Sequence, residues 1–557
     1  MGHIMKCSRV SILIVAVVFV VTLCRPCLAA EISVLDPQYE PVVLAEDTPM
    51  AGCNGAVIGA DGALYVVHTG NGQVTRIDLK TMKAAPAVAP YAGLFITDDI
   101  SADDKGNLYI TGTTPLVGEV YRISPNGMKK VIVSGLTAPN GIQYNPRTGR
   151  LFVTECFQAN RVFEIDPTGV KKPRLMIKEN VIPVPEGFGF DLETNDLIVP
   201  DMGTGKILRI QPDTAEITTI AEKFVTPVAL KVGPDNMAYI VELVTGGVYR
   251  LSLDGQKREK LAQIMPGLDN LAITPQGRLF VTSYWDATIF EVATDGSGKY
   301  KTLFPMGPNQ LAGTALAGGK VWVADQIMIR SLEDGKYVKT KLNAWTTHGM
   351  PLPLGLTAGP ADQLIWPDCV NGAVAIGNPI TGEFKPVAGE LNQPMAALTD
   401  PSGTRLYVAE YGNGQITEIS LTDGAKKVVT DGLAGPIALT MVDGMLYVAE
   451  TKAGRISRID PATGDKYVFC AGVAGKPNAI GNDGSGNLLF LDGAGQRLFR
   501  LSTRNMSLSL VAEDLPVGYS AIGSYPPTEF PWPMTVSSTG DIYLATINRG
   551  MIKLQKK

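Results

Sequence analysis

Apolar and polar residues alternate along most of this chain in short bursts with period two, the pattern of strands rather than helices. The bursts come in sets. An apolar strand is followed by a polar turn, a strand of the type Leu-Tyr-Val, a Gly-containing loop, a strand ending in the manner of Arg-Ile-Asp, and a weaker fourth strand. The second strand of each set is the easiest to find: "LYVVH" (64–68), "LYITG" (108–112), "LFVTE" (151–155), "LIVPD" (197–201), "AYIVE" (238–242) and "LFVTS" (279–283). It continues as "VWVAD" (321–325), "LIWPD" (364–368), "LYVAE" (406–410 and again 446–450), "LLFLD" (488–492) and "IYLAT" (542–546). The set returns about every 42 residues, twelve times in all.

Four short strands per repeat at this period predict β-propeller blades and an all-β chain. One ring of twelve blades would be wide and poorly filled at its centre. The repeat therefore predicts two consecutive six-bladed β-propellers, residues 31–298 and 299–557. Two surplus strands bear on how the rings close. "EPVVLAED" (40–47) precedes the first unit and "KYKTLFP" (299–305) the seventh, while the last unit, ending in "GMIKLQKK", lacks a fourth strand. The expectation is that a strand from its own N-terminus locks each ring, 40–47 completing unit six and 299–305 unit twelve, so that few edges stay open.

Composition narrows the picture. At 557 residues the chain exceeds one ordinary core, and 45% hydrophobic with 18% charged residues suits well-packed domains. A net charge of −5 provides no basic field, so nucleic acid is not an expected partner. The N-terminus stands apart. Lys6 and Arg9 precede an uncharged apolar run from Ile12 to Leu23, and Leu28-Ala29-Ala30 follows, the layout of a signal peptide over residues 1–30. The expected location is periplasmic or secreted, with no membrane span once the signal is removed; a retained N-terminal anchor is the alternative reading. Cys7, Cys24 and Cys27 fall in that leader. Cys53, Cys156, Cys369 and Cys470 have neither C-x-x-C spacing nor His companions and read as free thiols rather than metal ligands.

In a blade the first strand lines the central channel. The residues that open the first strands of units one to six are Asn54, Asp98, Asn140, Glu186, Val228 and Asp269, and five of the six carry oxygen. Their counterparts in units seven to twelve are Leu311, Leu354, Met395, Pro436, Asn478 and Trp532, a mostly apolar set. Polar residues needed only to close a ring would occur in both. Asn-Gly is also a turn dipeptide, and Asp or Asn at a strand start can bond nearby backbone, so any one position has a structural reading. Taken together, three carboxylates sharing a channel repel unless protonated or bound to a cation. Carboxylate and amide oxygens are hard donors suited to Ca²⁺, Mg²⁺ or Mn²⁺. The acids ending second strands, such as Glu155 and Asp201, occur in both halves and read as structural. His68 departs from that pattern and is a candidate proton-transfer group. Tyr284 and Trp285 ("SYWDATIF") are candidates for an aromatic wall at the mouth of the first channel.

These residues resemble the SMP-30/gluconolactonase/LRE-like family of six-bladed propellers, over roughly residues 40 to 300. "PNGIQYNPRTGRLFVTE" resembles the family's Asn-Gly strand, whose Asn is a metal ligand. "PEGFGFDLETNDLIVPDMGTGKILRI" (185–210) resembles its Pro-Asp-Gly unit, with Glu186 in place of a metal-binding Asp. "ITDDISADDKGNLYITGT" (96–113) resembles the unit that contacts substrate, through Asp98 or Asp99. The resemblance implies a metal on Asn140, Glu186 and Asp269, with Asp98 and Asn54 nearer the substrate. Glu186 and Asp98 are then the expected catalytic residues, and Asn54, Asp99, His68, Tyr284 and Trp285 the expected substrate contacts. It implies an exported hydrolase of a lactone or related ester with a divalent cation, Ca²⁺ foremost and Mg²⁺, Mn²⁺ or Zn²⁺ as alternatives. Two other readings stand beside it. One is a non-enzymatic double-propeller binding protein, its second half contacting a protein or glycan through "LPVGYSAIGSYPPTEFPWPM" (515–534); the other is a lyase resembling the streptogramin lyases.

Overall fold

A computed structural model of the protein describes residues 32–90, 92–94, 96–113, 117–472, 475–518 and 533–557. Residues 1–30, expected above to be a signal peptide, lie outside them, as do Trp532 and most of the Pro-rich segment 515–534. Within them the chain is strand and turn, broken only by short 3-10 turns at Pro360–Asp362 and Thr451–Ala453. The strands pair antiparallel into twelve sheets. Blades 1 to 6 occupy 53–88, 97–136, 139–177, 189–221, 227–263 and 268–302. Blades 7 to 12 occupy 311–343, 357–388, 394–430, 436–471, 477–513 and 534–556.

The chain forms two six-bladed β-propellers. Blade 6 meets blade 1 through Thr282, whose hydroxyl donates to the Asn54 carbonyl at 2.7 Å. In the second ring the inner strand Leu311–Ala317 of blade 7 lies beside Met534–Val536 of blade 12. The core of each ring lies between blades, because the two faces of every sheet are covered by its neighbours. Val67, Val74, Ile100, Ile110 and Tyr121 fill one such seam between blades 1 and 2; Ile365, Val374, Ala397 and Val408 fill another between blades 8 and 9. Each fully buried aliphatic side chain there contributes about 1.5–3 kcal/mol.

The rings close differently from the expectation. Tyr39–Ala45 pairs with Met551–Lys556 and is the outer strand of blade 12, while Tyr300–Thr302 pairs with Thr288–Val292 and is the outer strand of blade 6. The N-terminal segment therefore completes the second ring, not the first, and Ser33–Val34 adds a fifth strand to blade 11. Blade 6 is built in plain chain order and needs no borrowed strand. Between the rings, Trp285 packs with Ile327 and Met328 of blade 7. Buried Arg330 bonds Asp325 at 2.6 Å and the Trp285 carbonyl, and Lys339 reaches Asp286 at 2.7 Å. Cys53, Cys156, Cys369 and Cys470 are free thiols, the first two buried. Among the described residues no helix is long and apolar enough to cross a membrane.

Candidate active site

Four of the five polar ring residues are produced by one backbone device. In blade 3, Pro139 pairs with Glu155 but Ile142 with Val153, so Asn140 and Gly141 together face the single residue Thr154. Blades 1, 2 and 6 repeat this bulge around Asn54, Asp98 and Asp269. A bulge inserts one residue, breaks the alternation and re-aims a side chain. The backbone it frees is recaptured by a threonine of the second strand. Thr154 accepts the Gly141 N–H at 2.9 Å and donates to the Glu186 carbonyl of blade 4 at 3.3 Å. Thr111 accepts from Asp99 N–H and donates to the Asn140 carbonyl at 2.6 Å; Thr282 accepts from Asn270 N–H and donates to Asn54. Each threonine thus pins its own bulge and the ring residue of the next blade. Gly141 is required because a Cβ there would lie 2.8 Å from the Glu186 carbonyl and 2.9 Å from Gly187 Cα. Asn140-Gly141 is not a turn; it is a place where blades 3 and 4 approach closely. Glu186 arrives by another route, its N–H bonded to the Pro200 carbonyl at 3.1 Å beside the Pro185–Asp201 bridge.

The side chains converge electrostatically. Burial, then the charges of Asp98 and Asp269, raises the Glu186 carboxyl well above the ordinary range. Burial, then Asp269 and Asp99, does the same to Asp98. Asp269 is raised to about 7 by burial and then by Asp99. Cys156, read above only as an isolated thiol, belongs to the site: it is buried within the field of Glu186, Asp98 and Asp269, and burial, then the charge of Glu186, raises its thiol so that it stays protonated. Glu186 is buried to 1% exposure, yet its Oε1 has no hydrogen-bond partner, and neither has Asn54 Oδ1.

Several expected substrate contacts take other roles. Asp99 points away from the mouth. It is fully buried and accepts from Ile100 N–H at 2.8 Å, Ile142 N–H at 3.1 Å, Lys231 Nζ at 3.2 Å and Asn270 Nδ2 at 3.0 Å. Lys231 also donates to Gln143 Oε1 at 3.0 Å. This knot joins blades 2, 3, 5 and 6 and floors the channel beneath the ring. His68 is buried inside blade 1, its Nδ1 against the Ala51 backbone and its Nε2 2.8 Å from Thr75 Oγ1. Burial and the Arg549 charge lower its pKa to about 3, so it is neutral and packed, not a proton shuttle. Trp285 is buried in the contact between the propellers and walls no channel. Tyr284 is the exception: half-buried, it lies within the field of Asp269 and Asp98 and donates to Gln326 Oε1 of blade 7 at 2.8 Å. In the second ring the bulged residues are Ala312, Met395, Ile437 and Asn478, so the inner positions of blades 7 and 10 shift by one from Leu311 and Pro436. That channel, about 330 Å³, is lined by Ala, Leu, Thr and Asn without a carboxylate.

Buried, unpartnered oxygens beside mutually repelling acids fit a hard cation. Among the described residues no three His, Cys, Asp or Glu side chains close on one point, so amide oxygens from Asn54 or Asn140 have to complete any ligand set. A stability test follows. The folded-state pKa values of Asp98, Glu186 and Asp269 lie above the unfolded values near 4, so the folded form holds extra protons between about pH 4 and 7. Stability of the chelated protein then falls as pH rises through that window. We expect the Tm in EDTA to drop by roughly 4–8 °C from pH 5 to pH 8, and millimolar Ca²⁺ to flatten the slope. A Tm in EDTA that is level across this range would remove the repulsion from the account.

Fold and site define a double propeller with an acid-and-amide centre in one ring only. Residues 28–235 match the family described as the SMP-30/Gluconolactonase/LRE-like region, so the N-terminal half carries that family's resemblance. A gluconolactonase of Zymomonas mobilis is 25% identical over 170 residues, which are 26% of this chain and 48% of the relative; the chain thus spans about half the length of that curated protein. Among solved structures, a GH74 xyloglucanase from Xanthomonas campestris aligns over 93% of this chain and all of its own, with 14% identity and a TM-score of 0.48. A structure titled a putative gluconolactonase covers 49% of this chain and 99% of its own at 17% identity, TM-score 0.36. Virginiamycin B lyase from Staphylococcus aureus covers 52% and 95% at 18% identity, TM-score 0.37.

Proposed function

We propose that the first propeller hydrolyses a lactone or related ester outside the cytoplasm, with a divalent cation held by Asn140, Glu186 and Asp269 and with Asp98 and Asn54 facing the substrate. The observation that carries this reading is the pair of orphaned buried oxygens, Glu186 Oε1 and Asn54 Oδ1, among three carboxyls each raised by burial and by neighbouring acids. The family match over the same residues supports it. Bound there, the cation supplies Lewis acidity toward the ester carbonyl. The chain supplies the rest. Water adds to the acyl carbon as Glu186 takes its proton, and the proton passes to the ester oxygen as the acyl C–O bond breaks, leaving a hydroxy acid. Carboxyls raised by burial are basic enough for this near neutral pH, which an exposed carboxylate is not. Asp98 orients the water or the ring oxygen, Asn54 accepts from a substrate hydroxyl through its free Oδ1, and the Asp99–Lys231 knot keeps the channel closed below. The apolar second ring offers no such chemistry.

The test is release of acid from D-glucono-1,5-lactone and simple lactones in a pH-stat, before and after exhaustive chelation. We expect turnover that falls at least about 100-fold on chelation and returns with Ca²⁺ or Mn²⁺. Turnover indifferent to chelation, or metal bound without turnover of any lactone or ester, would overturn the reading.

A further inference from the structure

Phe157 lies just past the end of strand Arg150–Glu155, where Glu155 pairs with Pro139 beside Asn140, and so stands at the mouth of the site. Its backbone is unusual. It holds φ at +64°, and Gln158 N–H bonds the Cys156 carbonyl at 2.7 Å, a γ-turn of the rare, strained hand with a bulky side chain at its centre. The ring this turn presents is 53% exposed. It meets Trp345, in the loop that follows the outer strand Lys336–Asn343 of blade 7, edge to face with centroids 6.1 Å apart; Trp345 is itself 42% exposed. Two large aromatics in a strained, solvent-facing contact between separate propellers gain little for the fold. Strain of this kind persists where a site needs it.

Across the ring from blade 3, blade 7 touches the same mouth again. Gln326 accepts from Tyr284 and donates to Gln310 Oε1 at 2.5 Å. Asn309 is buried to 1% against Gly52, two residues before Asn54, with neither side-chain amide atom bonded. One wall of the mouth therefore offers aromatic faces, and the opposite wall offers amides.

We propose that the mouth is a composite substrate site in which Phe157 and Trp345 take the apolar face of a ring-shaped, hydroxyl-bearing ester, a sugar-type lactone, while Asn309 of the second propeller bonds its hydroxyls. Rings of this class have a C–H face that aromatic side chains cover and an edge of hydroxyls that amides pair. The second propeller is then a specificity wall for the first. This rests on the hydrolase reading for the reaction, though not for the binding.

Two experiments separate them. With D-glucono-1,5-lactone, Trp345→Ala and Phe157→Ala are expected to raise KM about tenfold with kcat within about twofold, while Trp345→Phe restores most of the loss. Phe157→Gly, which relieves the turn, keeps the fold and gives the same KM change. In a second arm, 1,5-anhydro-D-glucitol, a ring polyol without an ester, quenches tryptophan fluorescence of the Ca²⁺-loaded parent. The quench disappears in Trp345→Phe, and its midpoint shifts at least about fivefold in Phe157→Ala. An unchanged KM together with no Trp345-dependent quench would overturn the proposal. Quenching by the polyol in a protein that turns over no lactone would leave the wall standing and remove the hydrolase reading alone.

Discussion

Glu186→Gln is expected to lower lactone turnover by about 10²–10⁴-fold while leaving the chelated protein more stable than the parent at pH 8. The two effects have one origin. The parent holds a buried carboxylate beside two others, with Oε1 unpartnered, and a buried charge without compensation is costly. Gln keeps the shape but removes the charge, so folding no longer opposes ionisation. It also removes the only group the mechanism uses to take a proton from water. Stability against pH in EDTA, read beside kcat and metal content, checks both. Asn140→Ala provides the companion case: an amide oxygen is lost, no charge changes, and bound metal measured by plasma emission should fall at least about tenfold without the gain in stability. A Glu186→Gln protein that keeps its turnover and its metal would show that neither role belongs to this residue.

The repeats and the polarity of one ring were legible because both are local. Period-two alternation marks each strand, and Asn54, Asp98, Asn140, Glu186 and Asp269 could be compared with Met395 and Asn478 position by position. What failed to show is what depends on the third dimension. Asp98 and Asp99 are adjacent in sequence and identical in type, and only the bulge at 98–99 decides that one faces the mouth and the other the floor. His68 ends a second strand like its neighbours in the alignment, but the Ala51 backbone and Thr75 fold over it. Cys156 looked like one more isolated thiol. A usable signal was present and unread. The penultimate residue of the second strand is Thr111, Thr154 or Thr282 in three of the four first-ring blades with a bulge, Val67 standing opposite Asn54, and Ala324, Ala409 or Ala449 in the second propeller. A hydroxyl at that position holds the freed backbone of blades 2, 3 and 6, so it points to the first ring beside the ring residues themselves.

Deletion of residues 32–45 is expected to unfold the second propeller and leave the first able to bind its cation. Sequence pattern alone assigned strand 40–47 to the wrong ring, because an amphipathic outer strand fits any open blade edge; the partner is set by contacts between the two ends of the chain. Tyr39 pairs with Lys556 and Val43 with Ile552, Asp36 bonds Arg500, and the Lys557 N–H reaches the Gln38 carbonyl at 2.8 Å. Tyr39, exposed by only 2%, packs against Leu491, Leu498 and Leu554, and its loss alone is worth about 3 kcal/mol. The ladder adds about 1 kcal/mol per hydrogen bond. The sum rivals the 5–15 kcal/mol that a domain of this kind has in hand, and the exposed edge of Met551–Lys556 becomes a site for association with other chains. Calorimetry and limited proteolysis decide it: one thermal transition disappears, cleavage concentrates beyond residue 311, and the transition raised by Ca²⁺ survives. If the deletion instead abolishes the Ca²⁺-sensitive transition, the first ring needs the second to fold, and the wall formed by Trp345 and Asn309 is a structural support as well as a contact for substrate.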